Sequence, residues 1–223
     1  MRAAAIAGVM LASIGFAAGA AAAEEQQESQ FRIGVSGGTL GISPEIGWRS
    51  KHVGFRVNGG FFEYDREEDI DDIEYDGTLK LNSFGGLVDI YPFGGSFRLS
   101  VGARSNSNKI DLLATPTTNV EIGDVTYTPA QIGSLAGNVE FKKFSPMASI
   151  GWGGKLRDGF TIGFELGVMS QGSPKIDLVS TGGTLSNNAT FLAELEQERL
   201  QAEEDAEDFK LWPIVQLHLM YRF

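Results

Sequence analysis

The chain has 223 residues, with 18 Lys and Arg against 29 Asp and Glu, a net charge of −11 at pH 7, two histidines and no cysteine. The acidic balance argues against nucleic acid as a partner, and the absence of cysteine excludes disulfides and thiol chemistry. Arg2 is followed by AAAIAGVMLASIGFAAGAAAA, the layout of a secretory signal peptide over residues 1–23, with a short periplasmic lead at 24–30. The rival, a transmembrane anchor, lacks a basic flank on its far side, where Glu24 and Glu25 stand. Beyond residue 23 no apolar run is long enough for a membrane helix, so a chain that enters a membrane does so as a closed β-barrel.

In chain order the alternation predicts eight strands, over 31–38, 41–49, 53–64, 77–92, 97–112, 139–154, 160–176 and 209–223. Successive strand residues point to opposite faces. Val53, Phe55, Val57, Gly59 and Phe61 therefore share one side, and Arg56 and Asn58 lie on the other. Phe97, Leu99 and Val101 alternate with Arg98, Ser100 and Arg104. In FTIGFELGVMSQ, Phe160, Ile162, Phe164, Leu166 and Val168 oppose Glu165 and Gln171. A mid-strand glutamate is costly against lipid and ordinary against a lumen. The final segment, LWPIVQLHLMYRF, sets Leu211, Pro213, Val215, Leu217, Leu219, Tyr221 and Phe223 against Trp212, Ile214, Gln216, His218, Met220 and Arg222.

The connections fall into two kinds. WRSKHVGF, YPFGGSFR and KLRDGFT are tight, whereas 65–76, 115–138 and 181–208 are long and polar. Short turns at one end and long loops at the other describe an outer-membrane barrel. The fold class expected is thus all-β, an antiparallel up-and-down eight-stranded transmembrane β-barrel over 31–223. Residues 189–208 are rich in Glu and Ala, and Leu192, Leu195 and Arg199 support a short acidic helix in the last extracellular loop. Glu67, Glu68, Asp69, Asp71 and Asp72, with Glu203, Glu204 and Asp205, would form an acidic extracellular rim. Such a rim is either a solvated surface or a trap for cations, including basic amino acids and divalent ions bridging to lipopolysaccharide.

The runs GNVEFKK followed by SP (137–146), GSPKIDL (172–178) and YDGTLKLNSFGGLVDIYPFGGSFRLSVG (75–102) resemble the eight-stranded carbapenem-resistance-associated, ornithine-uptake porin family. The resemblance spans residues 31–223 and implies an outer-membrane barrel of a Gram-negative cell, with passage of small basic amino acids as a further implication. Tyr221 and terminal Phe223 also look like the signal read by the barrel-assembly machinery.

The inward-facing residues expected are Arg32, Glu45, Arg56, Asp89, Arg98, Arg104, Glu165, Gln171, Gln216, His218 and Arg222. An eight-stranded barrel has an interior just wide enough for side chains to fill. These residues either pair into a plug or line a narrow, solvated path that selects small ions. Asp89 and Arg98 flank the turn at 93–96, so they are expected to pair. His52 lies in a turn and His218 in a strand, and neither stands beside a nucleophile and an orienting acid. No catalytic residue, metal site or cofactor is therefore predicted, and outer-membrane lipid enzymes and proteases are the less favoured class.

Overall fold

A computed structural model describes residues 29–70, 73–123, 125–153 and 158–223. The signal peptide, residues 24–28 of the lead, Asp71 and Asp72 lie outside the described residues. Among the described residues thirteen strands form: β1 Ser29–Gly38, β2 Gly41–Ser50, β3 Val53–Ile70, β4 Ile73–Ile90, β5 Phe97–Asn106, β6 Lys109–Pro116, β7 Val120–Ile122, β8 Val125–Tyr127, β9 Gly133–Glu140, β10 Phe144–Trp152, β11 Gly159–Ser170, β12 Lys175–Gly182 and β13 Leu211–Arg222. Helix α1 is a single turn, Pro129–Ile132, and α2 spans Ala189–Asp205.

Eight strands close a ring in the order β4-β3-β2-β1-β13-β11-β10-β5, with β5 returning to β4, and each of these pairs is antiparallel. Closure leaves no unpaired edge within the ring. Register follows the apolar alternation, because a slip by one residue would turn every greasy side chain inward. Val53, Phe55, Ile162, Val168, Leu217 and Leu219 are accordingly exposed on the outer wall, while Arg56, Glu165 and His218 are buried inside. At the short-turn end the wall carries aromatic contacts, including Phe97 on Trp152 at 5.3 Å, Trp152 on Phe164 at 5.5 Å and Phe160 on Tyr221 at 5.0 Å between ring centroids. That is the girdle expected where lipid tails give way to headgroups.

Above the ring the wall divides. The first part of β4 (Ile73–Lys80) pairs with β6 rather than β5, and β6, β9 and β12 continue the sheet upward. Several predicted boundaries change as a result. The span 97–112 is two strands, β5 and β6; 160–176 is β11 and the start of β12; and the strand predicted at 139–154 begins six residues earlier, as β9. Residues 65–70 and 73–76, read as a polar loop, are the ends of the β3–β4 hairpin, where Glu67 pairs with Asp76 and Ile70 with Ile73. A strand with water on its outer face has no apolar period, so its pairing leaves no hydropathy signal. Ser29 and Gln30, read as lead, already pair with Ser50 and Arg49.

Val120, Ile122, Tyr127, Ile132, Phe191 and Leu195 make a compact core against Ile73, Leu135 and Leu178 of the upper sheet. Ile73 lies on the lumen-side face of β4, so α2 and the β7–β8 hairpin pack over the mouth. The α2 anchors are Phe191 and Leu195; Leu192, expected on the apolar stripe, is exposed. Asn188 starts the helix, its side-chain oxygen accepting from the backbone N–H groups of Thr190 (3.0 Å) and Phe191 (3.1 Å).

Candidate functional site

The lumen is crossed by a layer of ion pairs centred on Glu165. Its Oε2 accepts from Arg56 Nη1 at 2.6 Å and Arg98 Nη2 at 2.7 Å, and its Oε1 accepts from Arg56 Nη2 at 2.7 Å and from the Ser149 hydroxyl. His218 Nε2 stands 3.1 Å from the same carboxylate. Asp89 is the second centre, accepting from Arg32 Nη2 (2.6 Å), Arg56 Nε (3.1 Å) and the Ser100 hydroxyl (2.7 Å). Glu45 completes the layer, 3.3 Å from Arg56 and 3.6 Å from Arg32. Arg56 thus joins three carboxylates from three other strands. Its planar fork spreads four bonds over three nitrogens, whereas a lysine ammonium has three donors on a single atom.

The expected Asp89–Arg98 pair is corrected: Arg98 reaches Glu165. The reason lies in the register. Arg98 faces Gly151, and Gly151 faces Glu165, so the three residues form one row across β5, β10 and β11. With no side chain at Gly151, the guanidinium lies over that strand; a Cβ there would sit 2.9 Å from Arg98 Nε. Gly47 serves Arg32 in the same way, between Arg32 and Arg56. Asp89 faces Ser100 directly.

The remaining inward residues lie on either side of this layer. Arg104 is held by neutral acceptors, with Nε and Nη2 on the Ser83 hydroxyl at 3.1 and 3.0 Å and Nη1 on Asn58. Leu40, Leu87, Met147, Met169 and Ile214 fill the lumen with an apolar cluster, against which Trp212 packs. Gln171 is buried and donates to the carbonyl of Phe209 at 3.1 Å, and Gln216 faces Glu165 on the neighbouring strand. Toward the short turns, Arg222 donates to the carbonyl of Gly153, and Arg49 lies 3.5 Å over the Tyr91 ring and donates to the carbonyl of Gly95 at 2.5 Å. Sequence reasoning passed over Arg49 and Tyr91 because both sit at strand ends beside turns. Continuing the alternation from Glu45 through Gly47 would have placed Arg49 inside.

The acidic residues divide. Glu67, Glu68 and Asp69 are exposed at the hairpin tip, with Glu68 paired to Arg66. Glu203 does a different job: its Oε1 accepts the N–H of Ile176 at 2.9 Å, while Arg199 Nη1, 2.8 Å from Glu203, donates to the Ile176 carbonyl at 3.1 Å. Two α2 side chains therefore occupy the backbone of β12 where a further strand would bind. The Ile176 N–H, with Arg199 beside it, holds the Glu203 carboxyl below the ordinary glutamate range. Glu204 and Asp205 continue α2 toward its end. At the terminus Tyr221 packs edge-on against Phe223 at 5.1 Å, and the Phe223 N–H donates to the carbonyl of Phe31.

No protein-family model and no curated protein matches the chain. Two solved structures are similar in fold: Acinetobacter baumannii CarO2, with a TM-score of 0.60, 19% identity and coverage of 87% of this chain and 98% of that one, and Acinetobacter baumannii CarO, with a TM-score of 0.55, 17% identity and coverage of 87% and 96%. What the chain shares with these two proteins is the fold, an eight-stranded transmembrane barrel, as the resemblance read from residues 75–102 and 137–178 implies.

Proposed function

We propose that the protein is an outer-membrane barrel closed across its lumen, acting through its extracellular sheet and helix as a structural and surface-interaction unit. The observation that carries this reading is the convergence of Arg56, Arg98, Ser149 and His218 on Glu165, from four strands, on one buried carboxylate. Opening a path would separate charges already stripped of water, and an uncompensated buried charge is strongly disfavoured. Planar-bilayer recording of the refolded barrel tests it: a silent wild type is expected, and a steady current with measurable arginine uptake overturns it.

Passage of small basic amino acids is the second reading, favoured by the family resemblance and by the acidic hairpin tip. The lumen argues against it. Among the described residues its buried charges are Arg32, Arg49, Arg56, Arg98, Arg104 and Arg222 against Glu45, Asp89 and Glu165. A path lined by that excess of arginine repels cations and prefers anions. A current that prefers cations in a salt gradient would support this second reading, since passage of basic amino acids requires it, and a silent or anion-preferring barrel overturns it.

A further inference from the structure

On the outward face of the upper sheet the strand registers align side chains into rows. Glu63 faces Lys80, Lys80 faces Lys109, Lys109 faces Glu140 and Glu140 faces Lys175, a single row across β3, β4, β6, β9 and β12. The next row outward, about 7 Å farther along strands that rise some 3.4 Å per residue, is Asp65, Thr78, Asp111, Asn138 and Asp177. On the membrane side of the lysine row stand the exposed Phe61, Phe84 and Phe144, which end the apolar wall, with Lys142 between Phe144 and Glu140 in the chain. Four of the eight lysines of an acidic protein thus border the apolar wall, on one side of the barrel.

Lys80 and Lys109 are directly opposed, an arrangement of like charges that destabilises a sheet unless an anion lies between them. Asp111 partly fills that role, 3.9 Å from Lys80 and 3.2 Å from Lys109, and Glu63 is 3.4 Å from Lys80. These contacts leave the two lysine side chains 40% and 37% exposed. Exposed pairs of this kind are weak and exchange readily for a stronger anion. The residue type fits the position too: the lumen charges are arginines with fixed forks, whereas these are lysines, point charges on flexible stems suited to phosphate.

We infer that this lysine row binds the phosphate groups of a phosphorylated glycolipid in the surrounding leaflet, whose acyl chains lie on the apolar wall below Phe61, Phe84 and Phe144. The inference rests on the membrane placement proposed above but not on whether the lumen is closed. Continuity with the lipid-facing wall and charge complementarity select a lipid rather than a protein as the occupant. Glu63 and Glu140 alternate with the lysines in the same row and Asp111 stands one row farther out, and these acids still leave the ammonium groups of Lys80 and Lys109 open to solvent.

Native mass spectrometry of the full barrel in detergent, titrated with bisphosphorylated lipid A, with the same lipid lacking its phosphates, or with inorganic phosphate, tests the inference. Wild type should retain the bisphosphorylated lipid at least tenfold better than the dephosphorylated one. The combined variant Lys80→Gln, Lys109→Gln, Lys142→Gln and Lys175→Gln should lose that preference, while Lys51→Gln with Lys210→Gln should keep it. Replacing the four with arginine should preserve binding, which separates charge from fold, and heat-modifiable gel mobility reports that each variant is folded. Equal retention of both lipids by wild type, or an unchanged preference in the glutamine variant, overturns the inference. Displacement by millimolar inorganic phosphate also overturns it, because it assigns the lysines to free phosphate. A conducting barrel would refute the closed-lumen reading and leave this result unaffected.

Discussion

Arg56 in the lumen and Arg199 on α2 hold their glutamates in the same way. Each uses two nitrogens, at 2.6 and 2.7 Å to Glu165 and at 2.8 Å for both bonds to Glu196. Their surroundings differ: the first pair is 1% and 2% exposed, the second 20% and 55%. Removing one partner in the lumen leaves an ion that water cannot reach, whereas outside water takes the vacated place. A two-pronged grip, end-on through both Nη atoms for Arg56 and side-on through Nε and Nη2 for Arg199, therefore has different consequences in the two places. In the lumen the pairs tie the walls of the barrel together; on the surface the useful act of Arg199 is its bond to the Ile176 carbonyl, which blocks a sheet edge.

The strongest way to test this contrast is to remove the centre of the buried layer. Glu165→Ala removes the carboxylate partner of Arg98 and leaves Arg56 with Glu45 and Asp89 alone, and should lower stability by about 3–5 kcal/mol, the cost of breaking a buried pair, read as a fall in the urea midpoint of unfolding in detergent. If the midpoint does not move, water already fills the lumen and the closed reading fails.

Arg98→Ala should do less, because Arg56, Ser149 and His218 still face Glu165. A loss of about 1–3 kcal/mol is expected for a carboxylate deprived of one charged donor. A double-mutant cycle with Asp89→Ala should show smaller coupling than one with Glu165→Ala, since Arg98 bonds to Glu165. Larger coupling to Asp89 would contradict the observed pairing.

Gly151→Ala probes the bare strand that lets Arg98 cross. The added methyl meets Arg98 Nε at 2.9 Å and the Phe164 carbonyl at 3.1 Å; the long side chain can give way and the backbone must shift by only a few tenths of an ångström, so the cost should be about 1–2 kcal/mol, within the range for overpacking. Gly95→Ala, whose Cβ would meet only the Phe93 carbonyl at 4.0 Å, is the control and should shift the midpoint less.

The smallest effect belongs to the surface. The folded Glu203 carboxyl is held below its ordinary value of 4.5 by the Ile176 N–H and Arg199. The stability it lends is therefore complete above the unfolded value and is lost as the pH falls through the lower, folded one. Hydrogen exchange at Ile176 and along α2 should quicken in that acid window while exchange within the ring strands stays slow. Uniform acceleration across both regions would mean that helix and barrel open together.

Much of this architecture is legible in the sequence. The pleat forces side chains to alternate, so Phe160 through Val168 and Leu211 through Phe223 reveal their lipid face, and Glu165 and His218 their inward face, from local order alone. The same rule identifies the arginines that must find partners. It stops at the rim, where β6, β9 and β12 have a water-facing outer surface, and where Phe191 and Leu195 anchor a helix whose apolar stripe is thin.

Which base meets which acid was decided only by the tertiary structure. Ring closure sets β5, β10 and β11 side by side and puts Gly151 between Arg98 and Glu165, so a long guanidinium reaches two strands away, on the side of β5 opposite to Asp89. Pairing across a lumen depends on register, on strand order and on the absence of intervening side chains, quantities that join residues 67 positions apart in the chain. Alternation is a property of each strand alone and is therefore written in the sequence; partnership is a property of the closed ring.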